Sequence, residues 1–301
     1  MNPDQPRSQL LHQAPAQGSA MDVAAILEQI ADAASRDEMI FPTTTEIALK
    51  LQRTLDDPDC SVDQLARLVQ ADPLLAARVV AVANSVIYNR AGRTIADVKS
   101  AVARIGFNTL RVLAAAVVVR QMEGMAGTPG YRRMAVRLWE HTAHVAALAE
   151  VIARRFTHVD PDMAFFAGII HEVGGFYLIA RAGNYPGLLE AEHGSLLAWD
   201  DGGAALVGRA VLKHLGAPDA VLEGIEGMWQ GYLALPPQSL ADTLLLADQL
   251  APLESPLSQL AGTGSEGTVA SIDVMLDDRT LSSILEESAI EVDSLTNALR
   301  A

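Results

Sequence analysis

From Val23 to Leu299 apolar residues recur at intervals of three and four, segment after segment. That period most restricts what the chain can fold into, because it gives each segment one apolar helical face and leaves no alternating stretch for a sheet. Val23, Ile26, Leu27 and Ile30 predict a first helix. Ile47, Leu51 and Leu55 share a face of a second, from about Thr45 to Leu55, with Ile40-Phe41-Pro42 between the two. Ser61-Val62-Asp63-Gln64 has the form of a capping box and opens a helix carrying Leu65, Leu68 and Val69. Asp72-Pro73 places an acceptor and then a proline at a helix start, and the helix runs through Leu75, Val79 and Val82 to Asn84-Ser85. Gly106 ends a short helix and separates it from the apolar helix Leu110–Met122, and Gly124–Gly130 is the clearest internal break. A long pattern follows from about Met134 to Phe156. Asp160-Pro161 then caps a helix that carries Ala164–His171 and continues beyond Gly174-Gly175. Further helices are expected near Ala204–Leu215, Pro218–Trp229 and Leu240–Leu250, with a loop at Gly262–Gly267 and an acidic amphipathic helix over Leu276–Leu299. The class is all-α.

Composition narrows the setting. Half the residues are hydrophobic but only 5% are aromatic, which favours helices built from Ala, Leu and Val. The single cysteine, Cys60, excludes an internal disulfide, fits a reducing compartment and reads as a solvated, inert thiol. Met1–Ala20 is rich in Gln, Pro and Ala without a helical period, so it reads as a disordered tail, and it lacks the apolar core of a secretory signal. The longest apolar run, Val112–Val119, is bracketed by Arg111 and Arg120 and is too short to cross a bilayer needing about 20 residues. A soluble, cytoplasmic protein with no membrane partner is expected.

Charge argues against nucleic acid. Residues 191–301 hold 4 Lys/Arg against 17 Asp/Glu and so carry −13 of the net −15; such a surface repels a phosphate backbone. Ser61–Val86 imitates a helix-turn-helix, but its second helix offers only Arg78 as a cation among Leu, Ala and Val. Such a helix packs inside a protein.

Two groups of residues resemble the HDOD family, HD-related output domains of bacterial signalling proteins. The first runs Phe41-Pro42, Asp57-Pro58, Asp72-Pro73, Ala83-Asn84-Ser85 with Tyr88, then Ala101 and Ile105-Gly106. The second is Leu138-Trp139-Glu140-His141 followed by Ala164–Gly175, AFFAGIIHEVGG. The resemblance covers roughly residues 35–255. It implies an HD-domain-like helical bundle with an N-terminal helical subdomain: a tail at 1–20, an HDOD domain at 21–258 with subdomains at about 40–125 and 130–255, and a loop plus acidic helix at 259–301. In HD enzymes an early His, a His-Asp pair and a late Asp converge on a divalent metal, which turns a bound water into a nucleophile toward phosphate esters. Carried over, His141 matches the early His, His171 the His of the pair and Asp248 the late Asp, while Glu172 stands in place of the paired Asp.

Glu is one methylene longer, which displaces its oxygen by more than an ångström unless the backbone shifts. Ala204 and Met228-Trp229 occupy positions where related sequences often supply His, so ligands for a second metal are missing. The resemblance therefore implies a stand-alone, non-catalytic regulatory module that binds signalling partners, with no cofactor beyond weak Mn, Fe or Zn. The alternative is a metal-dependent phosphohydrolase acting on a nucleotide or cyclic dinucleotide. His141 and His144, one turn apart, are a lesser metal candidate. Asn84, Ser85 and Tyr88 are structural or interface candidates, with Asn84 and Tyr88 read as an anchor between the two halves. Trp139 and Trp229 are expected to fill core or subdomain contacts.

Overall fold

Local signals start most helices where the sequence puts them. The computed structural model describes residues 22–36, 50–51, 53–189, 196–262, 275–276 and 279–300; the tail to Ala20 and Phe41-Pro42 lie outside them. Helix α1 is Val23–Ser35, capped by the Asp22 carboxylate on the Ala25 N–H. Residues 50–51 and 53–55 are helical. Helix α2, Val62–Gln70, has the expected capping box, with Ser61 and Gln64 satisfying each other's backbone N–H. Asp72 Oδ1 accepts from the Leu75 N–H at 3.0 Å and starts α3, Pro73–Ala83. Helix α4, Val98–Gly124, is interrupted at Gly106, whose φ of 79° only glycine adopts readily.

Helix α5 is Pro129–Phe156. It begins five residues ahead of Met134 because Thr128 accepts the Tyr131 N–H and Pro129 fills the first turn. Then come α6 (Pro161–Ile170), α7 (Val173–Arg181), α8 (Ala204–His214), α9 (Asp219–Trp229) and α10 (Leu240–Leu250). The short α11 (Pro256–Ala261) has no counterpart in the sequence reading, and α12 is Leu281–Arg300. Two further expectations need correction. The helix from Asp160 does not continue through Gly174-Gly175; it stops at Ile170 and restarts at Val173. The last helix begins at Leu281 instead of Leu276, because Met275-Leu276 pairs antiparallel with Arg279-Thr280, the one strand pair among the described residues.

Helix α4 is the spine. Every residue from Val112 to Val119 is buried, so this apolar run is a helix enclosed on all sides, touching α2 and α3 on one flank and α6 and α7 on the other. Two stretches, Val98–Gly124 and Pro161–Asn184, are long and apolar enough to cross a membrane, yet 67% and 83% of their apolar windows are buried inside the protein. Trp139 of α5 joins the halves: the Arg78 and Arg120 guanidinium groups lie 5.7 and 5.5 Å from its ring. Arg78 is 1% exposed and α3 is covered by α4 and α12, so the sole cation of the second helix of the helix-turn-helix look-alike faces the interior. Burial, with Arg120 nearby, pushes the Arg78 guanidinium down to about 10.

The first and last described helices both dock on the body. Helix α1 packs on α8, and α12 lies across α5 and α3. The last helix is thus no appendage: it touches both halves.

Candidate functional site

The four residues carried over from the HD pattern come together in one place. His141 projects from the middle of α5, His171-Glu172 form the turn between α6 and α7, and Asp248 stands near the end of α10. The break in the helix answers the geometric problem that adjacent residues on a continuous helix point about 100° apart. Glu172, at φ −99° and ψ 14°, lets the chain turn so that its carboxylate and the His171 ring reach the same point. Ligand atoms of His141, His171 and Glu172 all lie within 4.8 Å of one another, and the imidazole centroids are 5.6 Å apart.

Glycines make this approach feasible. A Cβ on Gly168 would sit 2.5 Å from the Ala146 Cα, so α6 lies directly against α5 and brings the two histidines within reach. A Cβ on Gly175 would meet Glu172 Oε2 at 2.9 Å and the Leu257 side chain at 2.6 Å. The space at Gly175 therefore accommodates the longer carboxylate that replaces Asp.

Both imidazoles are oriented by main-chain carbonyls. His141 Nδ1 is 2.7 Å from the Leu253 carbonyl oxygen, and His171 Nδ1 is 2.8 Å from that of Gly168. A carbonyl only accepts, so each Nδ1 carries hydrogen and each Nε2 turns toward the cluster, the arrangement of metal-binding imidazoles. His171 is 5% exposed and its Nε2 has no hydrogen-bond partner. Burial holds its pKa below the usual histidine value, so that nitrogen presents a bare lone pair. His141 Nε2 lies 3.1 Å from Asp248 Oδ1, near enough for an ion pair but poorly aligned as a hydrogen bond. Burial depresses the His141 pKa, and the carboxylates of Asp248 and Glu172 more than offset this and raise it. Burial also disfavours the Asp248 carboxylate, but His141 reverses the effect and holds its pKa below the ordinary aspartate value. Two imidazoles and two carboxylates, with buried nitrogens left unsatisfied, fit one divalent transition-metal ion.

The cluster opens into a cleft of 290 Å³. Ala204, Met228 and Trp229 form part of its wall beside His171, Glu172 and Asp248, so the residues that replace the missing histidines do face the site. Sequence reading missed Trp199, Asp200, Leu245 and Ser258, which line it too. Asp200 and Trp199 belong to the irregular turn Trp199–Gly203, where the run Asp-Asp-Gly-Gly was the one available signal. Among the described residues, three carboxylates line the cleft (Glu172, Asp200 and Asp248) and no lysine or arginine does. A separate hollow of 160 Å³, lined by Arg111, Asp160 and Asp162, lies between α4, α6 and α9 and holds none of the cluster.

Other candidates fall elsewhere. His144 Nδ1 is 2.8 Å from the Glu140 carbonyl and 3.5 Å from Arg300, away from the cleft. Asn84 does not join the two halves: its side chain accepts from the Ile95 N–H at 2.8 Å and donates to the Ile95 carbonyl at 2.7 Å, closing a loop within the N-terminal half. Among the described residues, Tyr88 is tied by hydrogen bonds to the other half only through Thr109 of α4. Its hydroxyl is 3.0 Å from Thr109 Oγ1, which donates to Asp162 of α6 at 3.3 Å. Ser85 is buried, and the neighbouring Val86 N–H donates to Ser294 of α12. Trp139 is a subdomain contact, while Trp229 packs on Gly208 and on the cleft.

The fold and the site define an all-helical protein built around a buried histidine–carboxylate cluster of HD type. The HDOD domain profile matches residues 41–197, a little over half of the sequence, and the chain belongs to the HDOD family. No protein of curated function matches it. Among solved structures it is similar to a Shewanella amazonensis protein provisionally named a metal-dependent phosphohydrolase, at 22% identity and TM-score 0.64, covering 93% of this chain and 100% of that one. A Geobacter sulfurreducens HDOD domain protein of unknown function is similar at 21% identity and TM-score 0.60, covering 91% and 98%. A Marinobacter aquaeolei protein provisionally named for signal transduction aligns at 19% identity and TM-score 0.50, covering 93% and 66%. At these identities the likeness establishes the fold.

Proposed function

We propose that the chain is a cytoplasmic regulatory module of bacterial signal transduction that acts by binding partner proteins and carries out no hydrolysis. The observation that supports this most is the charge of the cleft: among the described residues, three carboxylates line it and no lysine or arginine does. Phosphoryl chemistry depends on cations arranged around the phosphate oxygens. One divalent ion held by His141, His171, Glu172 and Asp248 would supply a polarised water, but its two positive charges would still be outnumbered by the carboxylates. A second ion has no ligands on the wall formed by Ala204, Met228 and Trp229. The names of the Marinobacter and Shewanella relatives point one to signalling and the other to phosphohydrolysis, and the acidic cleft favours the first.

The second reading, a single-metal phosphohydrolase, draws on the unsatisfied Nε2 of His171 and its alignment with His141. One experiment separates the two. The purified protein is expected to hold less than one equivalent of Mn, Fe or Zn, and to turn over neither cyclic dinucleotides nor a nitrophenyl phosphodiester with those metals added. Stoichiometric metal with activity abolished by His171→Ala and by Asp248→Ala would install the phosphohydrolase. Affinity capture of a defined signalling protein by the intact chain tests the positive half of the proposal. Binding to DNA or to anionic vesicles in its place would refute it.

A further inference from the structure

Four polar side-chain atoms on α12 are buried without a hydrogen-bond partner: Ser288 Oγ, Glu291 Oε2, Thr296 Oγ1 and Arg300 Nε. Each opposes docking of the helix, since water would satisfy it if the helix lifted. Among the described side chains of α12, Val292, Leu295, Ala298 and Leu299 are buried at helical spacing on one face, with Leu285 half-buried against the core. Its polar ties include Glu291 to Arg155 at 2.9 Å, the Val86 N–H to Ser294 at 3.1 Å, and Arg300 to His144 at 3.5 Å. Docking also brings Glu291 toward the fully buried Glu150, whose carboxyl is already raised by burial and is raised further by that neighbour. Residues 263–280, which include the paired Met275-Leu276 and Arg279-Thr280, separate α12 from α11.

We propose that α12 is a displaceable cover, and that the groove it occupies between α3 and α5 is a docking site for an acidic amphipathic helix of a partner protein. This rests on the reading of the chain as a module that works through protein contacts, and it names the surface and the partner's chemistry. The present occupant describes the ligand. It is a helix with Val and Leu on the buried face, a carboxylate opposite Arg155, and Glu286, Glu287 and Asp293 exposed on the outside. A helix of the same charge that carries aliphatic residues in place of Ser288 and Thr296 makes the same contacts without their cost. It therefore competes successfully against the helix in cis. Displacement also frees the Val86 N–H, within the Asn84–Tyr88 segment.

Hydrogen exchange on the intact chain is the primary test. Amides of α12 should exchange about 100-fold faster than those in the middle of α5, as a unit that opens without global unfolding. Ser288→Ala combined with Thr296→Val should slow α12 by about tenfold and leave α5 unchanged. A labelled peptide of residues 281–300 carrying the same two substitutions should bind the intact wild-type chain. It should bind about tenfold more weakly to the double variant, whose own helix is held tighter, and about equally to Arg155→Glu, where the helix in cis and the peptide lose the same ion pair. Exchange of α12 at the rate of α5 would show a permanent core helix and overturn the proposal, as would peptide binding that the double variant does not weaken. None of these measurements uses a natural partner. Their failure would remove this surface and leave the regulatory reading standing, whereas refutation by DNA or vesicle binding would leave the exchange result intact.

Discussion

Replacing Gly174 with Ala isolates one contact that the fold cannot relax. Gly174 sits at the start of α7, and a Cβ there would lie 2.7 Å from both the Cα and the N of Gly208 on α8. Those are backbone atoms, and neither can rotate away. Restoring ordinary contact requires α7 and α8 to part by roughly 0.7 Å along their seam. Helix α8 has little room to retreat, because Gly208 is itself pressed by the Trp229 ring, 2.7 Å from where its Cβ would be. Overpacking of this kind costs ~1–3 kcal/mol, and more when backbone must move. Helix propensity works the other way, since Ala is preferred to Gly by about 1 kcal/mol. The net expectation is a loss of about 2 kcal/mol, or about 4–8 °C in Tm for a protein of this size. Urea denaturation followed by circular dichroism measures it, with Gly124→Ala as the opposite control. Gly124 has nothing within 4 Å of its Cβ position, so that variant should gain about 0.5 kcal/mol. Gly174→Ala at wild-type stability or above, with an unchanged denaturant slope, would refute the argument that backbone contact fixes this seam.

Asn84→Ala should lose about 1–3 kcal/mol in the same assay, since both hydrogen bonds to Ile95 disappear; a loss near zero would show that water replaces them freely. Arg78→Met should leave stability within about 1 kcal/mol of wild type or raise it, because it removes a buried guanidinium whose Nε and Nη1 have no partner; a drop above ~3 kcal/mol would mean the stacking on Trp139 outweighs that burial. Asp242 accepts from Ala234 N, Gln238 N, Ser239 N and Ser239 Oγ. Burial alone would raise its pKa, but these bonds more than reverse that and lower it. Its contribution is therefore complete above the unfolded aspartate value of about 3.9 and fades as pH falls through the lower folded value. Asp242→Asn should cost about 3 kcal/mol at neutral pH and flatten the acid limb of the stability curve; an unchanged acid limb would assign that limb to other carboxylates. Gly175→Ala should displace Glu172, weakening whatever Mn or Zn binding wild type shows and lowering the raised His141 pKa, followed by NMR titration; an unchanged His141 titration would show that Glu172 has not moved.

Much of the helical order was legible because its signals are local. Ser61 with Gln64, Asp72 with Pro73, and Gly106 each act within one turn, and each starts or interrupts a helix where expected. The break between α6 and α7 was not legible. His171-Glu172 contains no glycine or proline, and the chain turns there because the His171 ring binds back to the Gly168 carbonyl and Glu172 reaches over Gly175. The grouping of His141, His171, Glu172 and Asp248 came from family resemblance, since nothing in their spacing says that α5, α6 and α10 meet. Asn84 was misplaced for a similar reason: its partner is a main-chain group eleven residues on, which no side-chain pattern reveals. Trp199, Asp200 and Ser258 sit where periodicity is lost, so a reading by period could not enrol them.

The bond between Val86 and Ser294 spans 208 positions of sequence. During synthesis at about 5–20 residues per second, some 10–40 s pass between the emergence of its two ends. From the completion of α5 at Phe156 until α12 emerges, the seam between α3 and α5 has no helix of its own to close it, and the nascent chain must either leave it wet or lend it to another protein. The seam is thus completed by residues 281–300, and a partner helix of the kind proposed meets it on the ribosome before α12 can compete for the groove.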